Sequence, residues 1–278
     1  MGADTLQLAV AEKGSGLPLV LLHVFAHTAR TWGAAEKVLA EHCRVLAVDL
    51  PGHGCTGVQE AALPYTFERC ATALRIVLDE RAIERAVILG YSLGGRVALH
   101  FARAHPERCR ALIVESASPG LRDEGARAAR RAADERLAAR IERLGVQAFL
   151  EEWEALPLFA GLRRLSVEQR AALRRERLVN TARGLAESLR GMSVGIQESL
   201  WEAVSGFTFP VLALAGAEDV HYVTVAAELV ERVPRGRCVV VEQSGHTVHL
   251  EAPTAFTVAV DAFLVEVVER ETAASGKE

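Results

Sequence analysis

The hexapeptide Gly90-Tyr91-Ser92-Leu93-Gly94-Gly95 constrains this chain more than any other stretch. It follows the apolar run 86–89, which reads as a short buried strand. It opens the helical pattern 93–104, whose inward positions are small. A Gly-x-Ser-x-Gly sequence between a strand and a helix is the signature of a nucleophile elbow. The turn is tight and strained, so small residues must flank the serine. It lifts the hydroxyl above the sheet, at the positive end of the next helix. The bland alternative is a glycine-rich strand–helix turn without chemistry.

The rest of the chain alternates in the same way. Strand-like runs at 6–11, 18–23, 44–49, 86–89 and 111–115 are interleaved with helical patterns at 34–41, 67–81 and 93–104. From about 119 to 205 no strand pattern occurs. Helices are expected there at 122–143, 146–154, 167–178 and 185–190, with breaks near Gly145, Pro157, Gly161 and Gly184. The β–α pattern resumes with 210–215 (strand), 223–232 (helix), 237–242 (strand) and 254–268 (helix). The fold class is therefore α/β: a mostly parallel central sheet flanked by helices, with a helical cap insertion. The expected division is a core over 1–118, the cap over 119–205 and the rest of the core over 206–278. A lid of this kind covers the carboxyl ends of the strands, where open α/β sheets bind ligands.

A serine hydroxyl is a weak nucleophile and needs a base within hydrogen-bonding reach, itself oriented by a third group. In the α/β-hydrolase fold these groups follow in the order Ser, acid, His. Asp219 follows the run 210–215 in Gly216-Ala217-Glu218-Asp219, and His246 follows the run 237–242 in Ser244-Gly245-His246. The expected triad is Ser92 as nucleophile, His246 as base and Asp219 as orienter, with Glu218 and His249 as fallback acid and base. The oxyanion hole is expected from the N–H groups of Leu93 and Phe25, with Val24 as the alternative second donor. Pro51-Gly52-His53-Gly54 reads as a structural turn, with no chemical role for His53.

Composition excludes several classes. The net charge of −4 gives no bulk attraction for nucleic acid or an anionic membrane. No apolar run approaches a membrane span, and the N-terminus lacks a signal-peptide pattern. The odd, scattered set of five cysteines argues for reduced thiols and a cytoplasmic location. No HExxH sequence occurs, and no metal site is expected. Arginine crowds the stretch between 122 and 190. Most of it reads as a solvated helical face paired with neighbouring acids. Arginine is also the best fork for carboxylates, and Arg96, one turn after Ser92, can reach the same cavity.

Several segments resemble the 2-succinyl-6-hydroxy-2,4-cyclohexadiene-1-carboxylate synthases of menaquinone biosynthesis. They are Gly90-Tyr91-Ser92-Leu93-Gly94-Gly95-Arg96-Val97-Ala98 at the elbow and Ser118-Pro119-Gly120-Leu121, with Arg127 and Arg130, in the first cap helix. Trp153-Glu154-Ala155-Leu156-Pro157-Leu158-Phe159, Arg177-Leu178-Val179-Asn180, Gly184 to Gly191 and Gly245-His246-Thr247-Val248-His249-Leu250-Glu251 continue the likeness. The resemblance implies a carbon–oxygen lyase acting on a small molecule that bears several carboxylates, without a cofactor. It implies Ser92 as the proton-abstracting base, Arg96, Arg130 and Arg177 as carboxylate binders converging on one cavity, and Tyr91, Trp153 and Phe159 as pocket walls. A serine esterase or acyl hydrolase is the alternative, and a non-catalytic binding protein the third reading.

The chain departs from the family at positions that cluster around the expected active site. The family's H-G-F-[ST]-G oxyanion loop is here His23-Val24-Phe25-Ala26-His27, so Val24 and His27 replace glycines. Glycine permits φ > 0 or close substrate approach, which valine handles poorly. His221 stands where the family often has lysine, and Cys55 where a longer polar residue is common. Together Val24, His27, Cys55 and His221 suggest an altered pocket, divergent or redesigned.

Overall fold

The computed structural model describes residues 6–58 and 64–275. Seven strands form one sheet: β1 (Val10–Lys13), β2 (Leu17–Leu22), β3 (Cys43–Val48), β4 (Ala86–Tyr91), β5 (Cys109–Glu115), β6 (Val211–Gly216) and β7 (Gly236–Val241). Their spatial order is β1-β3-β2-β4-β5-β6-β7. β1 runs antiparallel to β3, and every other neighbouring pair is parallel. β4 and β6 are buried along their whole length, as continuous apolar runs are when helices cover both faces of a sheet.

The helices of the core are α1 (Gly33–Leu39), α2 (Phe67–Asp79) and α3 (Leu93–Ala104) in the first half of the chain. Between β5 and β6 lie α4 (Glu124–Trp153), a 3-10 helix (Pro157–Arg164), α5 (Val167–Arg177) and α6 (Ala182–Met192). Then come α7 (Val220–Arg232), the single turn α8 (Val248–Glu251) and α9 (Pro253–Ser275). α4 packs on α6, α1 on α9 and α2 on α3. The cap helices start on side-chain caps: Asp123 accepts from Ala126 N–H at 2.7 Å, and Ser166 and Gln169 form a reciprocal capping box before α5.

Two elements differ from the sequence expectation. The strand expected over 6–11 begins only at Val10. Ala9 instead takes the Asp49 N–H on its carbonyl and donates its own N–H to Thr56 Oγ1, so it anchors the turn after β3. The break expected near Gly184 is absent, because α6 runs through that glycine from Ala182 to Met192; the break expected near Gly145 is present, its φ of 80° and ψ of 167° dividing the 124–153 element into the two helices read over 122–143 and 146–154.

The elbow glycines are needed for backbone approach. A Cβ on Gly94 would sit 2.0 Å from the Leu22 carbonyl oxygen, and one on Gly90 would sit 2.2 Å from that of Gly94. Absence of a side chain thus lets α3 lie directly on β2 and β4. Gly94→Ala should destabilise the fold by about 3 kcal/mol, the upper end of overpacking penalties, read as a lowered urea midpoint. An unchanged midpoint would show that α3 can retreat at no cost.

Candidate active site

The nucleophile candidate sits in a backbone conformation that few residues tolerate. Ser92 has φ 50° and ψ −104° between β4 and α3. It is held there from both sides: its N–H donates to the Glu115 carbonyl at 2.9 Å, and its own carbonyl accepts from Arg96 N–H at 3.0 Å. The neighbouring strand and the following helix therefore stabilise the strain. Asp219 stands just before α7, its N–H on the Gly216 carbonyl at 2.9 Å. His246 follows β7 on a buried loop.

These three distant segments meet. His246 Nδ1 lies 2.6 Å from Asp219 Oδ2, and His246 Nε2 lies 3.3 Å from Ser92 Oγ. A carboxylate can only accept, so Nδ1 carries the proton and Nε2 is left free to take one from the hydroxyl. Both imidazole and carboxylate are shielded from water. The fallback groups lie elsewhere. Glu218 faces outward onto Arg164 at 2.9 Å, and His249 donates from Nδ1 to the buried Glu115 carboxylate at 2.9 Å.

The loop after β2 carries the expected oxyanion donors. His27 N–H donates to the Val24 carbonyl at 3.2 Å, closing a turn over Phe25 and Ala26. The positive φ of this turn falls on Ala26, at 62°, and neither Val24 nor His27 has one. The expected strain at Val24 is thus absent; alanine tolerates the left-handed position at a cost of about 1 kcal/mol. Two imidazoles brace the turn. His23 donates from Nδ1 to the Val24 carbonyl and accepts Leu50 N–H on Nε2. His53 accepts Ala26 N–H on Nε2 at 3.1 Å and donates from Nδ1 to the Pro51 carbonyl. Each is an acceptor on one nitrogen and so must be neutral. Burial agrees, pulling His23 down to about 4 and His53 to about 3. His53, which reads as a bare turn residue in sequence, is a prop of the oxyanion loop. Leu93 N–H belongs to the first turn of α3, whose amides have no partner within the helix.

Val24, Phe25, Ser92, Leu93 and His246 open onto a cavity of about 110 Å³ beneath the cap. Trp153, Phe159, Leu158 and Met192 supply apolar walls, and Arg96, Arg130 and Asp134 supply charge. Tyr222 also lines it, its ring 4.9 Å from that of His246. Tyr222 falls in the first turn after Asp219, a spacing that could have marked it in the sequence. Ser188, inside the 184–191 motif, lines it too, as does the 192–194 segment, which carries no motif. Among the described residues, no group of three or more His, Cys, Asp or Glu side chains is placed to hold a metal ion.

Residues 19–260 match the model of the alpha/beta hydrolase family. A Salmonella arizonae protein named 2-succinyl-6-hydroxy-2,4-cyclohexadiene-1-carboxylate synthase is 36% identical over 86% of this chain and 90% of its own. The structure of MenH from S. aureus superposes with a TM-score of 0.88 at 31% identity, covering 94% of this chain and 98% of that one. A thermophilic esterase from Thermogutta terrifontis, solved with malate bound, gives 0.82 at 27% identity, over 94% and 93%. The chain belongs to the 2-succinyl-6-hydroxy-2,4-cyclohexadiene-1-carboxylate synthase family, within the α/β hydrolases.

Membership in this synthase family makes the arginines the next question, and they do not behave alike. Arg96 lines the cavity with one N–H on the Met192 carbonyl at 2.9 Å and its charge over the Phe67 ring. Burial pulls it down to about 10, which leaves it protonated at neutral pH. Arg130 lines the cavity with Nε on both oxygens of Asp134. Arg177 does not line it. It is 1% exposed, with Nε and Nη2 on His27 Nε2 at 2.9 and 2.6 Å and Nη1 on Glu154 at 3.0 Å. The expected convergence of three arginines therefore holds for two; His27 and Glu154 retain the third behind the wall. Burial and the Arg177 charge together push the His27 imidazole well below its ordinary value, so it stays a neutral acceptor.

Three further expectations need correction. Tyr91 is packed behind His246, its hydroxyl 2.8 Å from Thr247 Oγ1, and lines no part of the cavity. Cys55 and His221 are exposed and also lie outside the lining, so neither alters the pocket directly. Asn180, in sequence only part of the 177–180 motif, joins the cap to the oxyanion loop: Nδ2 donates to the Ala26 carbonyl and Oδ1 accepts Gly54 N–H.

The neutral imidazoles give a pH prediction. Their folded values lie below that of a free histidine, about 6.5. Their contribution is complete above about pH 6.5 and drains as pH falls toward 4 and 3, because the unfolded chain takes up protons first. The urea midpoint should fall between pH 7 and pH 4.5, and fall less in His53→Asn than in the wild type. Equal falls in both would contradict the assignment.

Proposed function

We propose that this protein eliminates pyruvate from 2-succinyl-5-enolpyruvyl-6-hydroxy-3-cyclohexene-1-carboxylate, leaving 2-succinyl-6-hydroxy-2,4-cyclohexadiene-1-carboxylate. The observation that carries this reading is the pair of guanidinium groups, Arg96 and Arg130, in the cavity onto which Ser92 opens. A simple ester needs no such cations. A substrate with several carboxylates needs a fork for each that enters an apolar cavity, because an unpaired charge there is costly.

The steps follow from the two structures of the reactant and product. The ring carbon beside the succinyl carbonyl is acidic, since its anion delocalises onto that carbonyl oxygen. Ser92, deprotonated by His246 Nε2, takes this proton. Asp219 stabilises the imidazolium so formed. The negative charge on the carbonyl oxygen falls to the Leu93 and Phe25 N–H groups, fixed before the reaction begins. As the ring double bond shifts, the electron pair expels the enolpyruvyl oxygen, and the released enolpyruvate gains a proton to become pyruvate. No acyl-enzyme forms. The cavity walls of Trp153 and Phe159 exclude water, which would otherwise stabilise the reactant charges. Five free cysteines fit a reducing compartment, which we take to be the cytoplasm. Among the described residues, no helix is long and apolar enough to cross a membrane.

The likeness to the Thermogutta esterase favours ester hydrolysis as the second reading, since the same relay can attack an acyl carbon. The two differ in product. The wild-type protein should release pyruvate from the enolpyruvyl substrate, and Ser92→Ala should lower that rate by about 10²- to 10⁴-fold. Arg96→Ala should raise KM about 10- to 100-fold, as expected for losing a charge-assisted hydrogen bond. Rapid turnover of p-nitrophenyl acetate through Ser92, with no pyruvate formed, would transfer the assignment to an esterase.

A further inference from the structure

Ser188 lies in the middle of α6 and is 1% exposed. Its Oγ has no hydrogen-bond partner among the described residues. A serine inside a helix can return its hydroxyl to the carbonyl four residues back. Threonines elsewhere in this chain do so: Thr72 donates to the Glu68 carbonyl at 2.9 Å, Thr224 to that of Val220 at 3.1 Å and Thr272 to that of Val268 at 3.1 Å. Ser188 makes no such bond to Gly184.

For the fold alone this serine is a poor choice. A buried hydroxyl without a partner is destabilising, and alanine is the better helix former at nearly the same size. The position is explained by what it faces. Ser188 lines the cavity onto which Ser92 and His246 open. Among the described residues, Ser188 Oγ and Trp153 Nε1 are the buried side-chain polar atoms without a partner that belong to that lining. The Trp153 ring is a wall whatever its N–H does. The Ser188 side chain is little more than its hydroxyl, which both donates and accepts.

We propose that Ser188 is a specificity-determining residue that hydrogen-bonds the ring hydroxyl of the substrate. The other oxygens of the reactant already have their places. Carboxylates are drawn to the Arg96 and Arg130 guanidinium groups that line the cavity. The succinyl carbonyl turns to the Leu93 and Phe25 N–H groups, and the ether oxygen leaves with pyruvate. The ring hydroxyl is the one neutral group that both donates and accepts, as Ser188 does. A ligand that carries it satisfies the buried Oγ, and one that lacks it leaves that oxygen unpaired, which is how a hydrogen-bonding site rejects an analogue. The hydroxyl is the same in reactant and product, so this bond sets affinity and not the rate of elimination. The inference rests on the pyruvate-eliminating reading and names how that site selects its ring.

The test compares Ser188→Ala with the wild type in three measurements. In pyruvate release from the enolpyruvyl substrate, KM should rise about three- to tenfold, the scale of one neutral hydrogen bond, with kcat nearly unchanged. The second measurement is inhibition by 2-succinylbenzoate, the aromatic compound that the product becomes on losing water. It keeps the ring and succinyl carboxylates and the ketone but has no ring hydroxyl, so its inhibition constant should be the same for both proteins. The third is the urea midpoint without ligand, which should rise in Ser188→Ala because an unpaired buried hydroxyl has left a helix. A variant more stable alone yet weaker in binding separates a hydroxyl that reads a ligand from one that serves the fold. A lowered midpoint would give Oγ to the fold's own hydrogen bonding and overturn the proposal. An unchanged KM would overturn it too, as would an equal loss of affinity for 2-succinylbenzoate, which is general damage to the cavity. With pyruvate released, those outcomes remove this inference alone. A wild-type protein that releases none removes the proposed function and this inference with it.

Discussion

The hydrogen bond from Ser92 N–H to the Glu115 carbonyl underlies the geometry of the whole site. It couples the elbow to the adjacent strand, so the strained φ of 50° is sustained by the sheet and not by the turn alone. Glu115 works a second time through its side chain. Its buried carboxylate accepts His249 N–H and Nδ1–H, which docks the segment following the base against the end of the same strand. Nucleophile and base are thereby referenced to one residue at the tip of β5. That is why groups separated by more than a hundred residues can be placed within a hydrogen-bond length of each other.

The oxyanion loop solves its own problem by different means. A glycine-rich loop gains its shape from backbone freedom. Here Val24, Ala26 and His27 restrict that freedom, and the loop is instead tied by side chains. His23, His53 and Asn180 each spend two polar atoms on backbone groups around it. Such a loop has less entropy to lose when an anion binds. The cost is that its braces must remain neutral and dry, which ties its integrity to burial.

What could be read from the sequence follows the range of the interactions involved. The elbow, each strand or helix run and the short segments that hold Asp219 and His246 are local patterns, each written within a dozen or so residues, and the structure places them in the expected order. Contacts across the chain left no such trace. Nothing in the spacing of Arg177 shows that His27 and Glu154 hold it, because the partners lie 150 and 23 residues away. Residue type alone marks Val24 as strained, whereas the turn places its positive φ two residues later, on Ala26. Tyr91 sits beside the nucleophile in sequence, but its hydroxyl meets Thr247 and its ring packs against His246, so it supports the loop of the base and does not face the cavity. The break at Gly145 is legible because its φ of 80° is one that glycine adopts without strain, and it separates the two helices as the sequence indicates.

The attachment points of the cap carry a further consequence. Arg164 reaches the acid and base loops, Asn180 the oxyanion loop, and Arg177 binds His27 in that same loop. The cap is therefore fastened on the machinery it covers. A lid hinged far from its site can open without disturbing the chemistry beneath. Here each fastening is also a support for a donor, an acid or a base. The arrangement favours a reaction in which the reactive intermediate is an anion, for which an open site is a liability and a partly assembled one is harmless. An ester hydrolase, by contrast, must admit water to complete its cycle, and a cap fastened on the loops beneath it leaves that second step little room.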